Sequence, residues 1–464
     1  MPEATSTQRV ARGSIARRIA DATPASRDRA LDGYRALAIL GVVLGHWLVG
    51  ALLLRDGYLI VASPLGRMGE LAPASWFLQM LGLFFLVGGY AAATSAARSA
   101  QRGETYRHWL WARYRRLCTP VLVAAGFTVG ILAVLMFMGV EYMTLRTWVV
   151  LFVQPLWFIG IYVVLTALTS LAIRLADRFG GFAALAMVVL VAAVDLLRYG
   201  PWQEAIPGWL GLVNLLPGWM FAYQLGVCWA RGRVPRPAAW VWMIGGAVLF
   251  ALLITRFGYP TSMVGTPGSD RGNAHPPSLL VLALAAVQSG AAILLRERVG
   301  RLLRRPWLWA AVVVLNLSAL TILCWHQVPN LIVSIASTWS GGSVPGLTDL
   351  PADPSWLVAR VGWLLLFALI LVGLVAVMSR YEATRPATGA NASRVPSGPG
   401  AEAVSTTSSS SSRNVRVEPS GSVSGRVPSQ VSSVIEPQLA GSVPETVPEA
   451  NRSPVRDQAP FTVQ

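Results

Sequence analysis

Ten stretches of mostly apolar residues follow one another along the chain, near 34–54, 75–97, 118–139, 148–173, 181–197, 208–229, 238–256, 278–295, 308–335 and 356–379. A helix crossing a hydrocarbon layer about 30 Å thick needs about 20 such residues. The pattern therefore predicts ten membrane-spanning helices, the ninth long enough to tilt or break. The connection 338–355 is rich in Gly, Pro and Ser, as a loop should be.

The arginines test this partition independently. If the N-terminal arm is cytoplasmic, Arg9, Arg12, Arg17, Arg18, Arg27 and Arg29 lie inside. So do clusters after the second span (Arg98 to Arg116), the sixth (Arg231, Arg233, Arg236) and the eighth (Arg296 to Arg305). The opposite loops hold few arginines. This alternation is the positive-inside pattern and predicts both termini in the cytoplasm of a cell-membrane protein. Residues 1–33 then form a retained cytoplasmic arm and residues 34–380 the ten-span membrane domain. Residues 381–464, rich in Ser, Pro and Gly with the serine run Ser408 to Ser412, form a tail expected to be disordered. The fold class expected is all-α, a polytopic membrane helix bundle.

Composition sharpens this reading and excludes others. Of the 464 residues 54% are hydrophobic and only 13% charged, and mean hydropathy is +0.53, which no ordinary soluble domain shows. The net charge of +16 comes entirely from arginine, set between apolar runs. It therefore points to membrane orientation and anionic lipid contact rather than nucleic acid. Cys118, Cys228 and Cys324 lie far apart and show neither a disulfide framework nor metal-ligand spacing. No GxSxG elbow, P-loop or HExxH occurs, so serine hydrolase, ATPase and zincin readings have no support. No metal or resident cofactor is expected.

Candidate chemistry concentrates in the first span, Asp32-Gly33-Tyr34-Arg35 through His46. With Asp32 as helix cap, Arg35 falls in the first turn at the cytoplasmic rim. His46, eleven residues on, shares its face about 16 Å deeper, near mid-membrane. Arginine grips phosphate bidentately, and neutral histidine takes a proton from an attacking hydroxyl near pH 7. An acyl-CoA, with phosphates at one end of a long arm and a thioester at the other, would fit that spacing. A charge anchor is the commoner role for an arginine placed like Arg35. Arg113 and Arg116, three apart on a helix, can face one anion at the same rim. His326 is a second candidate, in the outer half of the ninth span beside Gln327 and Pro329, where it could line an acceptor tunnel or be a structural histidine at a helix break. Trp157 is a possible substrate-stacking group. His275 reads as a solvated loop histidine.

Arg-x10-His in a first span resembles the signature of the acyltransferase family 3 membrane proteins. Four further segments fall in that family's order. Phe84-Phe85-Leu86-Val87-Gly88-Gly89-Tyr90 resembles its FFxxSG[FY] segment, with Gly88 where the family has Ser, and Arg113-Tyr114-Arg115-Arg116 before Pro120 resembles its RxxR stretch. Trp157-Phe158 resembles its LWFL segment, and Leu323-Cys324-Trp325-His326 a late segment that ends in YLxH. The resemblance covers roughly residues 29–380. It implies acyl-CoA as cytoplasmic donor and co-substrate, and a hydroxyl on a sugar, glycan, glycolipid or secondary metabolite as acceptor. It also implies His46 as the catalytic residue with Arg35 as its partner, and Arg113 and Arg116 as donor-binding. A transporter or flippase for a glycan or lipid is the competing class, and a catalytically inactive scaffold a third. No span clearly carries a central carboxylate, which disfavours proton-coupled carriage.

Overall fold

The computed structural model describes residues 15–201, 203–265, 272–339 and 341–382. The predicted tail, 381–464, lies outside them from residue 383 onward, as does the arm before residue 15.

A helical stretch over 15–21 leads to the first long helix, α1 (Arg29–Val49). It starts earlier than the apolar pattern suggests, because Asp28 and not Asp32 caps it: the Asp28 carboxylate accepts from Ala30 N at 3.1 Å and Leu31 N at 3.3 Å. Arg296 clamps the other oxygen of Asp28 at 2.5 Å, and Asp32 instead pairs with Arg27 at 2.6 Å.

At its far end α1 also stops early. Residues 51–54, expected to complete the first span, enter a β-hairpin, β1 (Ala51–Arg55) and β2 (Tyr58–Ala62), paired antiparallel with Ala51 opposite Ala62. Asp56 and Gly57 make the turn with φ of 50° and 85°, the left-handed conformations of a two-residue type I′ hairpin. Thr144 and Thr147 hold the hairpin through the backbone of Leu59 at 3.1 and 2.7 Å. His46 therefore lies in the last turn of α1, and not midway along a span.

The remaining helices are α2 (Ala74–Leu78), α3 (Leu81–Gln101), α4 (Tyr106–Phe137), α5 (Tyr142–Val153), α6 (Trp157–Ala167), α7 (Thr169–Phe179), α8 (Phe182–Tyr199), α9 (Leu215–Ala230), α10 (Arg236–Thr255), α11 (Leu279–Leu302), α12 (Pro306–Leu317), α13 (Ala319–Trp325), α14 (Val328–Thr338) and α15 (Pro354–Glu382). Among the described residues nine helical segments are long and apolar enough to cross a membrane: Ala74–Gln101, Tyr106–Phe137, Tyr142–Ala167, Phe182–Tyr199, Gly208–Ala230, Arg236–Thr255, Leu279–Leu302, Ala319–Thr338 and Pro354–Tyr381. They coincide with the second to tenth predicted stretches. The first, α1, is of similar length but carries Asp32, Arg35 and His46.

Burial sorts these helices. Large apolar side chains stand exposed along α4 (Leu122, Val129, Phe137), α10 (Val241, Ile244, Val248) and α15 (Val358, Leu365, Leu369), a surface suited to lipid. At the centre, α9 is buried from Pro217 to Trp229 on every face and crosses α3 at two glycines. A Cβ on Gly89 would collide with the Tyr223 carbonyl, and one on Gly226 with that of Leu86. With lipid outside, such backbone contact is a main source of helix association. This is a multi-pass membrane bundle with a small hairpin at one end.

The ninth predicted stretch is broken twice, after Leu317 and after Trp325. Pro329 accounts for the second break: it has no N–H to give and crowds the carbonyl one turn back, at Trp325. His326 and Gln327 sit in this break, both buried. Irregular backbone at such a place is tolerated only where protein surrounds it.

Candidate active site

Two parts of the chain bring their histidines together. His46 comes from the last turn of α1 and His326 from the break between α13 and α14. Their rings are near-parallel, 14° apart with centroids at 4.9 Å, and His46 Nδ1 lies 2.6 Å from His326 Nε2.

The surrounding hydrogen bonds assign the protons. His326 Nδ1 is 3.0 Å from the Leu323 carbonyl oxygen, which only accepts, so this nitrogen carries a hydrogen. In the neutral ring Nε2 is then an acceptor and His46 Nδ1 must donate to it. His46 Nε2 is left with a bare lone pair, and no protein group among the described residues bonds to it. Burial in an apolar bundle favours this neutral pair over a charged one. Trp47, next to His46, donates its indole N–H to the His326 carbonyl at 2.6 Å, which locks the two segments together.

Such a pair is equipped for general-base chemistry. His46 Nε2 can take a proton; the resulting imidazolium still donates from Nδ1 to His326, which passes polarisation on to Leu323. His326 thus fixes the tautomer and the ring plane of His46.

The other candidate residues lie elsewhere. Arg35, in the same helix eleven positions before His46, is half-buried, and makes no hydrogen bond or ion pair with the described residues. Arg113, on α4, turns into the bundle: it donates to Ser95 Oγ at 2.7 Å and Tyr162 OH at 3.3 Å and stacks over Trp109 at 5.3 Å. Arg116 is exposed, so the two do not share one environment. Gly88 bears directly on Arg113, because a Cβ there would stand 2.6 Å from the Tyr162 ring. The missing side chain makes room for the tyrosine that bonds Arg113. Trp157 packs against Trp219 and His275, ring centroids 5.9 and 5.0 Å away. His275 is exposed as expected, yet partial burial of its ring lowers its pKa below the ordinary 6.5.

Sequence reasoning left two features unseen. Asp195, at the end of α8, is buried and accepts from Asn214, Tyr259 and the Leu279 N–H at 2.7–3.0 Å. Arg360, on α15, is buried within hydrogen-bond reach of the carbonyl of Trp47, the neighbour of His46. An arginine at the seventh position of an apolar helix was the available signal.

The sequence profile of a protein family described as an acyltransferase domain, acyltransferase family 3, matches residues 28–380, from the cap of α1 to the end of α15. Neither curated proteins nor solved structures give a match.

Proposed function

The chain belongs to this acyltransferase family, and from that premise we propose that it moves an acetyl or other short acyl group from cytoplasmic acyl-CoA to a hydroxyl of a sugar, glycan, glycolipid or secondary metabolite. The observation that carries the reading is the His46–His326 pair with its free Nε2. In this mechanism His46 Nε2 takes the proton of the acceptor hydroxyl as the oxygen attacks the thioester carbonyl. The new C–O bond forms and the C–S bond breaks. The departing sulfur receives the proton back from the His46 imidazolium, giving free CoA.

Donor binding falls to arginines. Arg35, half-buried on the helix that carries His46 and about 16 Å of helix rise before it, suits phosphate at the far end of the CoA arm. Arg113 keeps further N–H groups beyond those given to Ser95 and Tyr162, and Arg116 adds an exposed charge. The arginine distribution supports cytoplasmic termini in the cell membrane, with the donor on that side.

The test is acetyl-CoA turnover by purified protein in nanodiscs, followed as free CoA, with CoA affinity measured by calorimetry. Wild type should bind and slowly hydrolyse the thioester. His46→Ala should bind without turnover, and Arg35→Ala should bind more weakly. A well-folded wild type that does not bind CoA would remove the donor assignment.

A further inference from the structure

Arg360 is fully buried, and no carboxylate pairs with it among the described residues. Its Nε donates to the Trp47 carbonyl at 2.7 Å, Nη2 to the Gly50 carbonyl at 2.8 Å and Nη1 to the Gly346 carbonyl at 3.3 Å. The guanidinium faces the Phe367 and Trp356 rings at 4.9 and 5.6 Å. A buried cation without an anion is costly inside a membrane bundle, and such residues serve function more often than stability. Here carbonyl dipoles and two aromatic faces carry the whole compensation.

What it holds is specific. The Trp47 and Gly50 carbonyls belong to the last turn and C-cap of α1, where a helix leaves its carbonyls unpaired and its dipole is negative. His46 sits in that turn. Trp47 links both partners of the pair, since its backbone follows His46 directly and its indole holds His326. Gly346 adds the loop before α15, where a φ of 70° and the close approach of Ala359 and Arg360 leave no room for a Cβ.

We propose that Arg360 is a positioning residue: by gripping the end of α1 it registers Trp47, and through Trp47 the His46 and His326 rings. The proposal rests on reading that pair as the base of the reaction. A displacement of about 1 Å at the reacting groups is enough to cost a hundredfold in rate.

The experiment has two arms on the full chain in nanodiscs. The first follows 15N-labelled histidine by NMR. The protein has four histidines, and His46→Gln and His326→Gln identify the paired signals. Arg360→Gln should abolish the hydrogen-bonded His46–His326 signature, and Arg360→Lys should keep much of it. The second measures acetyl-CoA hydrolysis: Arg360→Gln should lower kcat about tenfold to a hundredfold with KM little changed. The same substitution should cost far less in a Trp47→Phe background. An unaltered pair signature in folded Arg360→Gln, or fully additive losses with Trp47→Phe, would overturn the proposal. Wild type that binds no CoA defeats the donor reading alone, because the NMR arm still decides the positioning role. If Arg360→Gln does not fold, Trp47→Phe decides by itself: a shifted His326 signal supports the link and an unshifted one refutes it.

Discussion

His46 Nδ1 and His326 Nε2 stand 2.6 Å apart although 280 residues separate them in the chain. Each nitrogen's role follows from the next bond along, which ends at the Leu323 carbonyl, and the result is one unencumbered basic nitrogen on His46. The two residues should therefore differ in what their loss does. His46→Gln should lower kcat by a factor of about 10² to 10⁴, the usual contribution of a general base. His326→Gln can still accept the Nδ1–H and should lose only about tenfold to a hundredfold. Turnover of acetyl-CoA by the two variants, with folding checked by thermal unfolding, tests the order; an equal or reversed ranking would contradict the assigned roles.

Gly88 and Tyr162 make a second pair whose fit can be probed. Gly88→Ser places a Cβ against the tyrosine ring, displaces the hydroxyl that bonds Arg113, and should destabilise the protein by about 1–3 kcal/mol through overpacking. Gly88→Ala should do nearly as much, because the clash lies with the Cβ. Thermal unfolding of both variants settles the matter, and no shift in Tm for either would mean that α3 and α6 adjust freely there.

At the start of α1, Asp28→Ala should cost about 1 kcal/mol by removing the helix cap. Asp28→Asn keeps an oxygen for Ala30 N and Leu31 N and loses only the ion pair with Arg296. Those side chains remain 23% and 42% exposed, so that loss should be the smaller one. Denaturation of the two variants should rank Ala below Asn. The reverse ranking would make charge pairing, and not capping, the main role of Asp28.

His275 supplies a pH dependence. Its folded-state pKa is lowered by partial burial, so the fold favours the neutral ring. The corresponding stability is fully present above the ordinary pKa of 6.5 and is lost as pH falls below it. The protection of the amides over residues 272–278, taken as their exchange rates relative to the intrinsic rate at each pH, should fall as the medium is acidified below pH 6.5, and His275→Asn should remove that loss. Protection that is flat with pH in wild type would show that this loop does not sense the charge.

Much of this molecule was legible from the chain. Runs of about 20 apolar residues have one stable form in lipid, the helix, because it satisfies its own backbone. The spans therefore emerged at nearly their observed positions, and the broken ninth stretch followed from Pro329. The family also followed from local motifs, since Arg35 and His46 lie on one helix at a spacing set by helical geometry alone. Helix ends were harder to place. Asp28 and Asp32 both suit a cap, and only the presence of Arg27 and Arg296 in space chooses between them. The first strand of the hairpin, Ala51–Arg55, lay at the end of an apolar run that suits a helix equally well, and Asp56-Gly57 was the local signal for the turn.

What tertiary structure alone decided is which polar groups meet. The chain carried His46, His326 and Arg360 as separate polar interruptions in apolar surroundings. Helical periodicity relates residues a few turns apart and is silent about those on different helices. Their convergence depends on α1 ending at Gly50, on the break at His326, and on α15 packing so that one guanidinium reaches the carbonyls of Trp47 and Gly50. Sequence fixes the length of each span and its polar interruptions; packing among the helices turns those interruptions into a site.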